Sequence, residues 1–171
     1  MIFIKIIDVI GYSGSGKTYF ITKAIKLFKK QLNYNVAVIK NVKHHQIDKT
    51  GKDSNKFAES GASYSIIKND VDDLGIFLNY KEDNFEKIYE WLQNGPYNVD
   101  LLLTEGFRQL KHPTVLCVSK SDEIESQLTE NVKIISGIIC SNFLNNDSFT
   151  DIPILDLEKE FQRFLKIFKI K

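Results

Sequence analysis

The chain alternates between short runs of consecutive apolar residues and stretches in which apolar residues recur every three or four positions. The runs predict buried strands over residues 3–10, 36–39, 99–103, 114–118 and 133–140. Spacings of three and four predict amphipathic helices over residues 17–32 and, after Asp156, along a C-terminal stripe that includes Leu157, Phe161, Phe164, Leu165 and Phe168. Strands that alternate with helices imply an α/β protein with a mostly parallel sheet.

The middle and the end of the chain contain shorter elements. The predicted elements are a helix from Asp53 or Ser54 to Gly61, a hairpin of strands 63–68 and 74–78, a helix capped by Asp83 and closed by Gly95 and Pro96, and an edge strand 152–155. Because no linker, repeat or low-complexity segment interrupts the pattern, we predict one domain over residues 1–171.

A phosphate-binding motif follows the first predicted strand and opens the first predicted helix. The segment Gly11-Tyr12-Ser13-Gly14-Ser15-Gly16-Lys17-Thr18 matches G-x-x-x-x-G-K-[ST] at every fixed position. Its backbone N–H groups would surround a phosphate, Lys17 would bridge the β- and γ-phosphates, and the Thr18 hydroxyl would coordinate Mg²⁺. We therefore predict a P-loop NTPase-like three-layer fold with a mostly parallel sheet and a β-hairpin extension. The predicted nucleotide-binding residues here are Gly11, Ser13, Gly14, Ser15, Gly16, Lys17, Thr18 and Tyr19.

A second anchor for the metal is expected at the end of a neighbouring strand. Glu105 follows the apolar run before Gly106 and is the predicted partner of Thr18. Asp48 and Lys52 lie in a polar loop that would reach the metal or a phosphate, or would form a surface loop. Lys17, Glu105 and Asp48 are the candidate catalytic residues, Thr18, Glu105 and Asp48 the candidate Mg²⁺ ligands, and Lys52 and Gly106 further contacts to the nucleotide. Arg108 either approaches the phosphates or forms a surface ion pair.

Two segments contain candidate residues for selecting a base. Ser119-Lys120-Ser121-Asp122 is similar to a guanine-binding motif, which makes Asp122 one candidate; Ser141 and Asn142, after the next predicted strand, are the other. His44 and His45 are adjacent and would point in opposite directions along a strand, which argues against a zinc site.

Composition excludes several classes of protein. The chain carries 23 basic and 22 acidic residues, so nothing in its charge favours nucleic acid. Lys5 and Asp8 interrupt the apolar N-terminal run, which argues against a signal peptide, and no later stretch is long enough to span a membrane. The two cysteines lie inside apolar runs, which predicts buried thiols. We expect a cytoplasmic protein without a membrane partner.

Several segments together resemble one family. They are the loop Gly11 to Thr18, Val38-Ile39-Lys40 with His44-His45, Asp48-Lys49-Thr50-Gly51-Lys52-Asp53-Ser54, Ser60-Gly61-Ala62, and Asp100-Leu101-Leu102-Leu103-Thr104-Glu105-Gly106-Phe107. The chain resembles MobB, the adaptor protein of molybdopterin-guanine dinucleotide biosynthesis. The resemblance implies a homodimeric GTP-binding protein with weak Mg²⁺-dependent GTPase activity. It also implies that the protein assists the guanylyltransferase MobA and contacts molybdopterin-handling proteins, and that the loop around Asp48 and the Glu105-Gly106 turn face the phosphates and the metal.

Two other functions are compatible with the same motifs. One is a P-loop small-molecule kinase, in which Asp48 or Glu105 would orient an acceptor hydroxyl; against it, the chain has only two arginines, Arg108 and Arg163, to clamp a transferred phosphoryl group. The other is a nucleotide-dependent partner module unrelated to molybdenum. For a homodimer, the strand edges of the hairpin over residues 63–78 are the predicted contact.

Overall fold

A computed structural model describes residues 4–42, 47–71, 73–78, 85–141 and 148–171. These residues form two compact units, one from residues 1–41 and 92–171 and one from residues 42–91. His44, His45, Asp83 and Asn142, each singled out by the sequence, lie outside the described residues.

The described elements follow the predicted order. Strands are β1 (Lys5–Ile10), β2 (Val36–Lys40), β3 (Tyr64–Lys68), β4 (Leu74–Leu78), β5 (Leu101–Glu105), β6 (Thr114–Cys117), β7 (Val132–Ser136), β8 (Ser148–Phe149) and β9 (Ile152–Pro153). Helices are α1 (Lys17–Leu32), α2 (Asp53–Glu59), α3 (Phe85–Gln93) and α4 (Phe161–Ile167), with 3-10 helices at Ser121–Glu123, Glu125–Gln127 and Ile138–Ser141.

The larger unit is built on a five-stranded parallel sheet with the order β2-β5-β1-β6-β7. Side chains alternate across it: Ile7 and Val9 belong to a core cluster with α1 and α4, whereas Ile10 belongs to a second cluster with Leu116. Such two-sided burial explains why β1, β5 and β6 read as continuous apolar runs. The α/β fold with a mostly parallel sheet is confirmed.

Three predicted bounds were wrong around the last strands. The strand predicted over residues 133–140 ends at Ser136, because Gly137 adopts φ +97° and the chain turns into a 3-10 helix. The strand predicted over residues 152–155 stops at Pro153, although Ile154 forms a parallel bridge to Ile135. The C-terminal helix begins at Phe161 rather than after Asp156, and Leu157 is nevertheless buried.

The smaller unit contains the predicted hairpin. Strands β3 and β4 pair antiparallel with Ile66 opposite Ile76, and α2 precedes them. One hairpin face is exposed and mostly apolar; it carries Tyr64, Ile66, Leu74, Ile76 and Leu78, with Lys68 opposite Leu74. The opposite face includes the buried Ser65, whose hydroxyl donates to the Ser54 carbonyl at 3.1 Å.

Among the described residues, no helix combines the length and apolar character that crossing a membrane requires.

Candidate functional site

The glycine-rich loop joins the carboxyl end of β1 to the first turn of α1. Gly14 and Gly16 adopt φ +75° and +94°, a region that favours glycine. Lys17, the first residue of α1, folds back so that its Nζ donates to the carbonyl oxygens of Gly11 at 3.0 Å and Tyr12 at 2.7 Å. The ammonium group therefore lies across the loop, where it can exchange these carbonyls for phosphate oxygens.

Unpaired donors in the loop fit an anion. No side chain in the described part of the chain caps the start of α1, so its first N–H groups and the positive end of its dipole are available. The Ser15 hydroxyl is buried and has no hydrogen-bond partner among the described residues. A helix of 16 residues behind such a loop has the geometry that suits a phosphate or another anion.

Thr18 and Glu105 meet beside this loop, as the sequence predicted for a metal site. The Thr18 hydroxyl lies 3.4 Å from both carboxylate oxygens of Glu105, which ends β5 and is 7% exposed. Lys40, which is paired with Glu105 in the strand register, places its Nζ 3.1 Å from the same carboxylate. Oxygen donors of this kind suit Mg²⁺, and Lys40 balances the buried charge in the present arrangement.

The buried carboxylate of Asp8 holds the end of β5, where Glu105 lies, against β1. Asp8, in the middle of β1 and 1% exposed, accepts a hydrogen bond from the Thr104 hydroxyl at 2.7 Å. It also accepts one from the backbone N–H of His112 at 3.2 Å, and the His112 ring lies at the same distance. Asp8 thus ties β5 and the loop after it to β1, and so positions Glu105 without contacting the glycine-rich loop itself.

Arg108 follows the Glu105-Gly106 turn and lies against the glycine-rich loop. Its guanidinium is 5.4 Å from the centre of the Tyr12 ring and donates to the Gln127 side-chain oxygen at 2.5 Å. The Tyr12 hydroxyl is 3.4 Å from that of Ser126. Arg108 therefore contacts Tyr12 of the loop, and no ion pair of Arg108 is present among the residues that the structure describes.

Asp48 and Lys52 lie in the smaller unit, where both line one cavity of about 640 Å³. The Asp48 carboxylate accepts a hydrogen bond from the Ser54 hydroxyl at 2.7 Å, which holds the loop against the start of α2. Their predicted roles toward metal and phosphate stay predictions.

Two candidates for contacting the base, Asp122 and Ser141, lie at different places in the larger unit. Asp122 lies in the exposed 3-10 helix Ser121–Glu123, whereas Ser141 lines a cavity beside the start of α1. Within the described ranges, no group of three or more His, Cys, Asp or Glu side chains is arranged to hold a metal ion. Both cysteines are free, and burial raises the pKa of the thiols of Cys117 and Cys140.

The sequence missed three residues at this site, namely Asp8, Lys40 and Gly137. Lys40 meets Glu105 because β2 and β5 are neighbours, which a strand order alone reveals. A β-carbon built on Gly137 would lie 2.3 Å from the Ser15 carbonyl oxygen, so this glycine packs directly under the loop. An isolated glycine near the end of an apolar run was the available signal.

The sheet order, the glycine-rich loop between β1 and α1, and Glu105 at the end of the adjacent strand define a P-loop protein of the α/β class. Residues 6–141 match the family model described as molybdopterin guanine dinucleotide synthesis protein B. The chain belongs to this family, MobB, as its motifs indicated.

Curated relatives agree with the family model. The chain is 34% identical over 122 residues to a molybdopterin-guanine dinucleotide biosynthesis adapter protein of Haemophilus influenzae, which covers 66% of this chain and 62% of the relative. It is 31% identical over 123 residues to a putative protein of the same description from Methanocaldococcus jannaschii, covering 69% of this chain and 49% of that one. The match thus spans about half to three fifths of these two relatives.

Solved structures show the same fold. The crystal structure of Bacillus subtilis MobB aligns with a TM-score of 0.72 at 23% identity and covers 98% of this chain and 99% of that one. The MobB homologue from Bacillus stearothermophilus aligns with a TM-score of 0.65 at 20% identity, covering 95% and 96%.

Proposed function

We propose that this protein is a cytoplasmic GTP-binding adaptor of molybdopterin-guanine dinucleotide biosynthesis. In this role it binds Mg²⁺ and GTP, hydrolyses GTP slowly at most, and assists a MobA-type guanylyltransferase that attaches GMP to molybdopterin. The observation that carries the proposal is the meeting of Thr18 and Glu105, 3.4 Å apart, beside an uncapped helix start and Lys17. Family membership supports the pathway, and the description of a relative as an adapter protein supports a role that involves a partner protein.

Different groups of the loop contact different phosphates. Lys17 leaves the Gly11 and Tyr12 carbonyls and donates to the β- and γ-phosphate oxygens, while backbone N–H groups of Gly14, Ser15 and Gly16 surround the phosphate chain. Lys17 and the helix dipole stabilise charge that develops on the phosphate oxygens, which is the main contribution a P-loop makes to hydrolysis.

Thr18 and Glu105 would hold Mg²⁺, because both supply oxygen ligands at the correct end of the loop. When bound, the ion offsets negative charge on the β- and γ-phosphates. Lys40 then exchanges its 3.1 Å ion pair with Glu105 for water or a phosphate oxygen.

Substitution of Glu105 tests the metal site. We expect Glu105→Gln to reduce the gain in GTP affinity that Mg²⁺ provides by about tenfold, because a neutral amide is a poor magnesium ligand. Calorimetric titrations of GTP, GDP and ATP with Mg²⁺ and with EDTA measure this gain. The GTP affinities measured in EDTA should be nearly equal for the wild type and the Glu105→Gln variant.

Asp100→Asn is the matched control for this experiment. Asp100 precedes the same strand at its opposite end and accepts a hydrogen bond from the Asn35 backbone N–H at 2.8 Å. Its variant should keep the full Mg²⁺ effect. Equal loss in both variants would contradict a metal site at Glu105, and a clear preference of the wild type for ATP would contradict the guanine assignment.

The rival function, a small-molecule kinase, predicts transfer of a phosphoryl group to an acceptor. Arg108, the one arginine near the loop in the described part of the chain, is held by Gln127 and the Tyr12 ring. Because these contacts hold the Arg108 side chain, they favour a nucleotide-binding role over phosphoryl transfer.

The second rival function is a partner module unrelated to molybdenum. Capture of the guanylyltransferase on the GTP-loaded protein distinguishes the adaptor from such a module.

We also propose that the protein is a homodimer joined through the hairpin. The support is the exposed apolar face of β3 and β4, on which Tyr64 is 57% and Ile66 61% exposed. Contiguous apolar surface of this kind favours association, and the unpaired edges of a two-stranded hairpin can accept a strand of a second copy.

Ile66→Glu is expected to convert the dimer to a monomer, because the interface would bury an unpaired charge. Sedimentation velocity across micromolar concentrations measures the change. Tyr97→Glu is the control, since Tyr97 is 76% exposed in the larger unit and should leave the dimer intact. A monomeric wild type would remove the proposal.

A further inference from the structure

A cavity of about 570 Å³ lies beside the start of α1, and the phosphate chemistry does not use it. Its walls come from the first turns of α1, the turn after β7 and the segment before α4. The lining residues on which the argument depends are Gly16, Tyr19, Ile138, Ser141, Asp156 and Glu158. This volume is within the range of cavities that hold a nucleoside.

The position of the proposed metal site determines the direction in which the nucleoside extends from the glycine-rich loop. Thr18 and Glu105 mark the β5 side of β1, where the β- and γ-phosphates and the metal belong. The α-phosphate and nucleoside must therefore extend toward the β6 and β7 side. Gly16 packs there against the turn after β7, since a β-carbon on Gly16 would lie 3.2 Å from the Ile138 backbone nitrogen. The cavity begins at Gly16 on this same side.

Two exposed apolar side chains supply surfaces for a base. The Tyr19 ring is 62% exposed, and its hydroxyl donates to Glu158 at 3.3 Å while the Lys23 ammonium lies 5.2 Å from the ring centre. Lys23 in turn forms a 2.7 Å ion pair with Glu158. Ile138, on the turn after β7, is 50% exposed. Bases stack on such aromatic faces.

A carboxylate in the same cavity can select the base. Asp156 is half-buried; its Oδ1 accepts from the Glu158 backbone N–H at 3.0 Å and its Oδ2 lies 3.5 Å from the Lys159 ammonium. A carboxylate has about four acceptor positions, so two contacts leave capacity for a ligand. Guanine presents two adjacent donors, N1–H and the N2 amino group, whereas adenine presents an acceptor at N1. Asp122, the candidate from the sequence motif, does not line this cavity.

We propose that this cavity binds the guanine base and that Asp156 accepts hydrogen bonds from its N1–H and N2 amino group. The proposal rests on the proposed GTP binding and adds the residue that determines base specificity. Tyr19 is then a contact of the base rather than of the phosphates. The recognition uses the strand-end turn after β7 and the segment before α4, and it needs no contribution from the 3-10 helix that contains Asp122.

A change of base preference tests this assignment. Asp156→Asn should weaken GTP binding by about 10- to 100-fold, the value of a hydrogen-bonded charge in a binding site. The same variant should bind xanthosine triphosphate more tightly than the wild type does, because the amide can donate to the xanthine O2 and still accept from N1–H. Calorimetric titration of the full chain with each nucleotide measures the ratio of the affinity for GTP to the affinity for xanthosine triphosphate. Asp122→Asn is the control.

The outcomes separate this proposal from the one on which it rests. Reversal of the ratio in Asp156→Asn alone supports the assignment, and a gain in xanthosine triphosphate affinity cannot come from misfolding. Loss of GTP affinity without that gain, or reversal in Asp122→Asn instead, would overturn it. A wild type that binds neither GTP nor GDP would contradict the proposed function itself.

Discussion

Lys17→Ala is expected to weaken GTP binding by about 100-fold or more. The ammonium is the one side-chain cation that the described structure places across the glycine-rich loop, within 3.0 Å of the Gly11 carbonyl and 2.7 Å of the Tyr12 carbonyl. Its removal deletes charged hydrogen bonds to two phosphates, each of which contributes about 1.5–3 kcal/mol. Isothermal titration with GTP and Mg²⁺ measures the loss.

The matched control is Lys26→Ala, because Lys26 is exposed on the same helix away from the loop. Its GTP affinity should equal that of the wild type. If GTP loading is what assists the guanylyltransferase, Lys17→Ala also removes that assistance, and Lys26→Ala keeps it. A Lys17→Ala protein that binds GTP normally would show that the loop is not the nucleotide site.

Gly137→Ala is expected to destabilise the larger unit by about 3 kcal/mol or more. Gly137 adopts φ +97°, and an added β-carbon would lie 2.3 Å from the Ser15 carbonyl oxygen and 3.1 Å from the Val118 backbone. All these neighbours are backbone atoms in the centre of the unit, so the clash cannot be relieved by a rotamer change. The strained φ adds about 1–2 kcal/mol. Urea unfolding followed by circular dichroism measures the difference.

Gly14→Ala separates the two contributions to this loss. Gly14, in the same unit, also adopts a positive φ, +75°, but no atom outside its adjacent residues lies within 4 Å of a β-carbon built on it. Its variant should therefore lose only the strain contribution of about 1–2 kcal/mol. Equal losses in the two variants would show that crowding under the loop is unimportant. The Gly137→Ala variant should also bind GTP more weakly, because the displaced Ser15 carbonyl belongs to the loop.

Glu105 shows how a local rule can locate a site residue. A carboxylate at the end of a buried apolar strand, placed next to a P-loop, is expected to lie near Thr18, the candidate metal ligand, and the structure brings the two within 3.4 Å. The prediction needed only that strands β1 and β5 be neighbours in a parallel sheet. That condition is met, and their register pairs Val9 with Glu105.

Asp156 and Asp122 show where such a rule does not suffice. The sequence made Asp122, in Ser119-Lys120-Ser121-Asp122, one candidate for contacting the base beside Ser141 and Asn142, and it did not point to Asp156. The chain instead ends β7 at Ser136 and turns at Gly137, which opens a cavity between α1 and the segment before α4. Asp156 lines that cavity because of how distant segments pack, and no short motif records this packing.

Hydrophobic periodicity and one eight-residue motif by themselves determined the α/β class, the P-loop, helix α1 over Lys17–Leu32 and the hairpin. These features depend on local spacing, which a sequence displays directly. Tertiary structure alone decided that Lys40 pairs with Glu105, that Asp8 anchors β5, and that Gly137 supports the loop. Each of these contacts joins segments that are distant in the chain, and strand order brings them together.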